Sequence, residues 1–171
     1  MIPSRSTHAH LRVARIDWAR WTPQQTTTLL FVVADGMVVL MRKKRGLGAG
    51  RINAPGGRLE PGESARECAI RETREELRID PRGVEAAGEV FFHAEDTPRI
   101  HCYLFTASGY EGTPSETDEA IPLTCPIDRI PYDEMWDDNR HWLPLVLAGE
   151  RVTAYCTFYR ERLVDHRVDR R

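Results

Sequence analysis

What the chain lacks narrows its function before any motif is considered. Its 171 residues carry 24 basic and 26 acidic side chains, interleaved along the chain for a net charge of -2. There is no basic field to hold a nucleic acid and no acidic tail. Long apolar runs are also missing, so no segment approaches the length that spans a bilayer, and no membrane partner is expected. The four cysteines, at positions 68, 102, 125 and 156, show no paired spacing. They read as reduced thiols of a cytoplasmic protein rather than a disulfide framework or a zinc site. His93, His101 and His141 form no ligand spacing. Repeats and linkers are absent too, and 171 residues with 41% hydrophobic content suit one domain with its own core, expected to be a monomer.

The most informative stretch is a glycine-punctuated loop that runs into a helix dense in carboxylates. Pro61-Gly62 signals a turn. Ser64 can cap the following helix with Glu67 as its capping-box partner, and nothing interrupts the pattern before Leu77. At 100° per residue, Glu72, Glu75 and Glu76 fall within about a 100° arc that also holds Ala65, Cys68 and Ala69. Ile70, Thr73 and Leu77 form a second, core-seeking stripe. The outer side is left to Glu67, Arg71, Arg74 and Arg78, with Glu67 and Arg71 spaced to pair.

A helix that is acidic only for solubility would scatter its acids among the basic residues, which describes Glu67 but not the trio. Glutamates at i, i+3 and i+4 repel one another, so a positive charge is expected among them. An all-oxygen donor set selects a hard cation. Mg²⁺ takes a few carboxylates and shares its remaining positions with water and phosphate, which points to phosphate chemistry.

The spacing Gly57-x5-Glu63-x7-Arg71-Glu72-Thr73-Arg74-Glu75-Glu76-Leu77-Arg78-Ile79 resembles the Nudix box, Gly-x5-Glu-x7-Arg-Glu-U-x-Glu-Glu-x-Gly-U with U apolar. Thr73 stands at an apolar position and Arg78 at the family glycine. A residue with a side chain at that left-handed helix end is expected to cost up to about 1 kcal/mol, without removing a ligand.

From about Thr27 to Phe158 the chain also resembles the branch of that family that cleaves oxidised purine nucleoside triphosphates such as 8-oxo-dGTP. The likeness runs through Lys43-Lys44-Arg45-Gly46, Gly48-Ala49-Gly50-Arg51, Asn53, Gly112-Thr113-Pro114, Asp118-Glu119, Ile130-Pro131, Met135-Trp136, Trp142 and Pro144. The resemblance implies an α/β (α+β) sandwich with a mixed sheet between helices. It implies hydrolysis of a small nucleotide to monophosphate and pyrophosphate with Mg²⁺, or Mn²⁺ in its place. The Gly56 carbonyl, Glu72 and Glu76 would be the metal ligands, with Glu75 and Glu119 close enough to hold a further ion or take a proton, and Arg71 and Glu63 holding loop and helix in register.

By the same resemblance Thr28, Lys43, Leu47, Asn53, Phe92, Ile100, Trp136, Asp138 and Asn139 would form the nucleotide pocket, supported by Trp142. Leu47 replaces a usual aromatic, and Asn139 replaces the second of two adjacent aspartates. An amide offers a donor and an acceptor at every pH, so guanine-type recognition can persist while the ranking of purines shifts. Two alternatives stay open: another nucleotide substrate (ADP-ribose, a dinucleoside polyphosphate or an RNA 5′ end), or a domain that binds nucleotide without turning it over.

The remaining elements follow from local pattern. Thr27 to Ala34 and Met37 to Met41 flank Asp35-Gly36, a strong hairpin signal. Val84 to His93 and Arg99 to Ser108 read as strands, and Leu123 to Cys125 as a short one before Pro126. A helix is expected from about Asn139 to Leu147 with Pro144 near its start, then a strand from Val152 to Tyr159. Residues 1–24, Arg-rich at Arg5, Arg12 and Arg15, are expected to be a partly disordered extension ahead of a domain over 25–171, with Leu11, Val13, Ile16 and Trp18 able to dock on it.

Overall fold

The structure, a computed structural model, describes residues 8–171. Its first strand, β1 (Gln25–Ala34), turns through Asp35 and Gly36 into β2 (Met37–Lys43). Both turn residues have positive φ, 52° and 72°, the backbone that suits the right-handed twist of a two-residue hairpin. In chain order there follow β3 (Ile52–Asn53), α1 (Ala65–Leu77), β4 (Asp80–Arg82), β5 (Glu85–Ala94), β6 (Ile100–Ala107), β7 (Gly109–Glu111), β8 (Ala120–Pro126), α2 (Asn139–Leu147), β9 (Val152–Tyr159) and β10 (Arg162–Arg170).

One sheet runs β10-β9-β5-β6-β1-β2-β3, with β8 also paired to β2. The β1–β6 and β5–β9 pairs are parallel and the others antiparallel, so the sheet is mixed. The β4–β7 ribbon stands apart from it.

Period-two alternation along β1 separates the two faces. Leu30 and Val32 join Ala69 and Leu77 of α1 in one core, whereas Phe31 joins Trp142, Leu143 and Val146 of α2 in the other. The mixed sheet is thus held between helical layers, the expected α/β architecture. No helix among the described residues is long and apolar enough to cross a membrane.

Of the expected extension, residues 1–7 lie outside the described residues. From His8 the chain lies on the sheet beside β9 and β10. Leu11 and Val13 are buried, and the Val13 N–H donates to Asp165 Oδ2 at 3.0 Å. Trp18 packs on Phe91 and Tyr155, and Trp21 Nε1 donates to His93 Nδ1 at 3.1 Å.

Three details differ from the sequence expectation. Pro144 is the sixth of the nine residues of α2, an interior position rather than one near the start. The strand expected over Leu123–Cys125 extends from Ala120 through Pro126, and it tolerates Pro122 and Pro126 because β8 pairs only with β2 and is therefore an edge. β10 was not anticipated, because its nine residues carry charge on both faces and the turn before it, Arg160-Glu161, contains no glycine.

Candidate functional site

The acidic end is built from the loop and helix singled out in the sequence. Ser64 and Glu67 form the capping box, Glu67 N–H to Ser64 Oγ at 3.2 Å and Ser64 N–H to Glu67 Oε2 at 2.8 Å. Glu67 is thereby occupied, and the expected Glu67–Arg71 pair does not form. Arg71 instead clasps Glu63 through Nε at 2.7 Å and Nη2 at 3.0 Å, and also reaches Glu72 Oε1 at 2.9 Å, Glu75 Oε2 at 3.2 Å and the Arg58 carbonyl at 3.2 Å. A guanidinium fork of this kind fixes two planar partners at once. The Arg71 hydrogen bond, with the Glu60 N–H, holds the Glu63 carboxyl down at about 2.

The buried face of α1 comprises Cys68, Ala69, Thr73, Glu76 and Leu77, while Ile70, expected in the core stripe, is half exposed. The small residues bring the helix close enough to β1 for Thr28 Oγ1 to lie 3.4 Å from Cys68 Sγ. That approach rotates the seam away from Ile70.

Glycine is required where the loop passes between β1 and the helix. A Cβ on Gly56 would sit 1.8 Å from the Thr28 carbonyl oxygen, and one on Gly57 would sit 2.3 Å from Glu72 Oε1. The Thr28 and Leu30 N–H groups bond to the Gly57 and Pro55 carbonyls at 2.9 and 3.0 Å, so in extended backbone the intervening Gly56 carbonyl points the other way. The Gly56 N–H donates to Glu76 Oε2 at 2.9 Å. Burial first, then the charges of Glu72 and Glu119, push the Glu76 carboxyl up to about 8, with the Gly56 N–H and then Lys43 opposing. Burial also raises Glu72, against Arg71.

Glu72, Glu76, Glu119 and Gly56 line one cleft of about 610 Å³. Glu75 and Glu63 lie off it, and the Glu75 side chain is 57% exposed. Among the described residues no three His, Cys, Asp or Glu side chains converge as a preformed metal cluster. Three of the acids instead hold protein partners: Glu72 the Arg71 guanidinium, Glu76 the Gly56 N–H and Glu119 the Arg45 guanidinium. The donor set itself, three carboxylates facing one cleft with a buried carboxyl among them, fits a hard divalent cation.

The other end of the cleft is assembled from distant segments. Thr28, Lys43, Leu47, Asn53, Phe92, Ile100, Trp136, Asp138 and Asn139 all line it. Asp138 is fully buried, and Trp142 Nε1 donates to its Oδ2 at 2.7 Å. Burial pushes its carboxyl up to about 6, against the hydrogen bond from Trp142. Trp142 is itself a core residue, set edge-on to Phe31 at 5.9 Å. Asn139 Nδ2 donates to the Trp136 carbonyl at 3.2 Å and to Asp138 Oδ1 at 3.5 Å, which leaves Asn139 Oδ1 buried without a partner. A buried, unpaired acceptor is costly, and in a cleft it is an invitation to a ligand N–H. Two other residues enter with part of their capacity used: the Thr28 hydroxyl sits against Cys68, and Asn53 Oδ1 accepts from the Ala54 N–H at 2.9 Å.

Some lining residues escape sequence reasoning. Phe158 stands edge-on to Trp136 at 5.9 Å, and Glu161 enters from the unanticipated β9–β10 turn. Arg51, which the sequence places in the Gly48-Ala49-Gly50-Arg51 stretch without a role, lies beside the cleft over the Trp136 ring at 4.4 Å. Only register across β2, β3 and β9 brings these groups together, and no local spacing announces it.

Comparison with known proteins identifies the family and the fold. The NUDIX domain family matches residues 23–146. Over 144 residues the chain is 38% identical to the oxidized purine nucleoside triphosphate hydrolase of Danio rerio, covering 83% of this chain and 92% of the relative. Over 132 residues it is 33% identical to the Mus musculus protein of the same name, covering 77% and 85%. Among solved structures it is similar to the MutT protein of Bacillus halodurans, with a TM-score of 0.75 and 24% identity over 85% of this chain and 97% of that one.

Proposed function

This chain belongs to the NUDIX family, and we propose that it hydrolyses oxidised purine nucleoside triphosphates such as 8-oxo-dGTP or 2-hydroxy-dATP to the monophosphate and pyrophosphate. One observation carries the reading: a single cleft holds carboxylates at one end and, at the other, an indole beside a buried acid and an amide with an unpaired acceptor. The two Danio rerio and Mus musculus relatives, named for this class of substrate, support it.

In this proposal the purine lies against Trp136, with Asn139 Oδ1 accepting from a base N–H and Asp138 Oδ1, which already accepts from Asn139 Nδ2 at 3.5 Å, sharing a further lone pair with the base edge. Lys43 meets phosphate oxygens along the cleft, with Arg45 beside it. Glu72, Glu76 and the Gly56 carbonyl would hold a divalent cation, Mg²⁺ with Mn²⁺ able to replace it, and Glu119 with Glu75 would serve a further ion. When bound, such an ion offsets the triphosphate charge and makes water a better nucleophile. Glu63 and Arg71 keep the loop at the height of the helix. The attacking water gives its proton to one of Glu72, Glu75, Glu76 and Glu119. The protein is proposed to act as a cytoplasmic monomer.

The test is steady-state hydrolysis of 8-oxo-dGTP, 2-hydroxy-dATP, dGTP and ADP-ribose side by side with Mg²⁺, scoring kcat/KM and pyrophosphate release. Preference for an oxidised purine is the expected result. A higher kcat/KM for ADP-ribose or dGTP would move the chain to another NUDIX substrate, and no turnover of any of them would make it a binding domain.

A further inference from the structure

The Trp136 plate has a back as well as a face, and the back is built by residues that the hydrolysis itself does not use. Arg51 lies with its guanidinium 4.4 Å from the Trp136 ring centroid and does not line the cleft. Its Nη1 donates to the Met135 carbonyl at 3.4 Å, and its Nη2 reaches Glu161 Oε2 at 3.4 Å. Below the same ring the chain passes at Gly48, where a Cβ would come within 3.0 Å of Trp136 Nε1. Three segments far apart in sequence thus meet behind one indole: the loop before β3, the turn leading into α2, and the β9–β10 turn.

The β9–β10 turn carries an independent mark. Arg160 and Glu161 have φ of 46° and 63°, consecutive left-handed residues of the kind that a two-residue hairpin normally fills with Asn-Gly or Gly-Gly. Side chains in that region are strained, and such strain persists only where surrounding contacts hold it. Each of the two residues has its own restraint here. The Arg160 N–H donates to Asp96 Oδ2 at 3.0 Å, tying the turn to the loop whose Thr97 and Pro98 line the cleft. Glu161 holds Arg51 and lines the cleft itself.

We propose that Arg51 and Glu161 are positioning residues for purine selection: Glu161, presented by a strained turn, holds the Arg51 guanidinium over the back of the Trp136 ring and so fixes the plate on which the base stacks. The inference rests on the reading of this cleft as a purine site. Arg51 is suited to the task because its planar cation stacks on an indole and still has donors in its own plane for Met135 and Glu161. A lysine at the same place keeps the charge and loses the planar group. The pair is half exposed, with side-chain exposures of 31% and 54%, so its effect is on the orientation of the plate rather than on global stability.

The test is equilibrium binding of 8-oxo-dGMP, dGMP and dCMP to the full chain without metal, so that the readout is independent of turnover. It compares wild type with E161Q, E161G, R51K, R51M and the R51M/E161Q double variant. The expected result is a purine affinity two- to five-fold weaker in E161Q and about five-fold weaker in R51K and R51M, with dCMP affinity unmoved, so that purine-over-pyrimidine preference falls. The double variant is expected to match R51M alone, because Glu161 acts through Arg51. E161G separates strain from contact: glycine relaxes the turn, yet purine affinity should fall as in E161Q.

Wild-type purine affinity in both Glu161 variants and in R51K overturns the proposal and leaves the purine site standing. An additive loss in the double variant overturns the route through Arg51. Absence of purine binding by the wild type overturns both this inference and the function on which it rests.

Discussion

The two ends of the cleft solve opposite problems. At the acidic end, charge is in excess and every group is restrained: Arg71 holds Glu63, Glu72 and Glu75, and the Gly56 N–H holds Glu76. At the base end, charge is scarce and one acceptor, Asn139 Oδ1, is left unpaired. The first is a rigid clasp that keeps repelling carboxylates in place; the second is a polar vacancy between a fully buried acid and an indole. Under the proposed function the difference would separate chemistry from selection, since carboxylates managing phosphate charge must not shift, whereas a group that reads the base must be incomplete until a base completes it.

The largest expected effect comes from breaking the acidic end. E76Q and E72Q should lower kcat by at least about a hundredfold. Neither should lower Tm, because both carboxyls are raised by burial and an amide is cheaper to bury. Mn²⁺ affinity by calorimetry should fall in parallel. Unchanged kcat in both variants would remove these acids from the metal site.

Breaking the base end should leave the chemistry and weaken recognition. W136A is expected to reduce purine kcat/KM by about five- to 150-fold, on the basis of about 1–3 kcal/mol for stacking a base on an aromatic ring. The loss should appear mainly in KM, and an equal loss in kcat would mean that Trp136 also orders the acidic end.

A subtler contrast lies in pH. Asp138 has a carboxyl raised to about 6 by burial, above its unfolded value near 3.8, so between those two pH values the folded state binds more protons than the unfolded one. Its contribution is therefore fully present below about 3.8, is lost as pH rises to about 6, and is flat beyond. Urea unfolding of wild type and D138N across pH 4 to 7 should differ by a slope approaching about one proton, wild type losing stability relative to D138N as pH rises. Glu63, held down at about 2, contributes with the opposite sign and cancels in the comparison. Parallel curves would mean that Asp138 titrates normally.

Legibility in the sequence follows the same division. Except for Glu119, the acidic end lies on one continuous loop and helix from Gly56 to Leu77, so helical period, capping box and glycine placement could each be read locally, and the resemblance supplied the expected roles. Its departures are local as well: Glu67 is claimed by Ser64 rather than Arg71, and beside the close approach at Cys68 Ile70 is only half-buried. The base end draws on β1, β2, the loop after it, β3, β5, β6 and the segment running into α2, so only the resemblance placed its nine residues. It could not place Glu161, because β10 has neither an apolar alternation nor a turn glycine to announce it. The same contrast explains Pro144, which reads as a helix start by composition and stands inside α2 because tertiary packing of Trp142, Leu143 and Val146 outweighs the lost hydrogen bond.

The smallest expected effect compares two strained residues, one at each end. Arg78 closes α1 in a left-handed conformation, φ 57° and ψ 30°, with its N–H bonded to the Arg74 carbonyl at 3.0 Å. Its side chain is exposed and does not line the cleft. R78G keeps that backbone bond and removes the steric cost of Cβ, an expected gain of about 1 kcal/mol less the glycine's greater unfolded-state freedom. For a chain of this size that corresponds to a rise in Tm of about 2–4 °C at most. Glu161 has the same kind of backbone, φ 63°, but its side chain reaches Arg51. R78G should therefore raise Tm with purine affinity intact, while E161G relaxes a similar strain and loses affinity. Thermal unfolding and nucleotide binding on the two variants together separate strain left over from helix termination from strain kept for selection, and equal behaviour of the pair would erase the distinction.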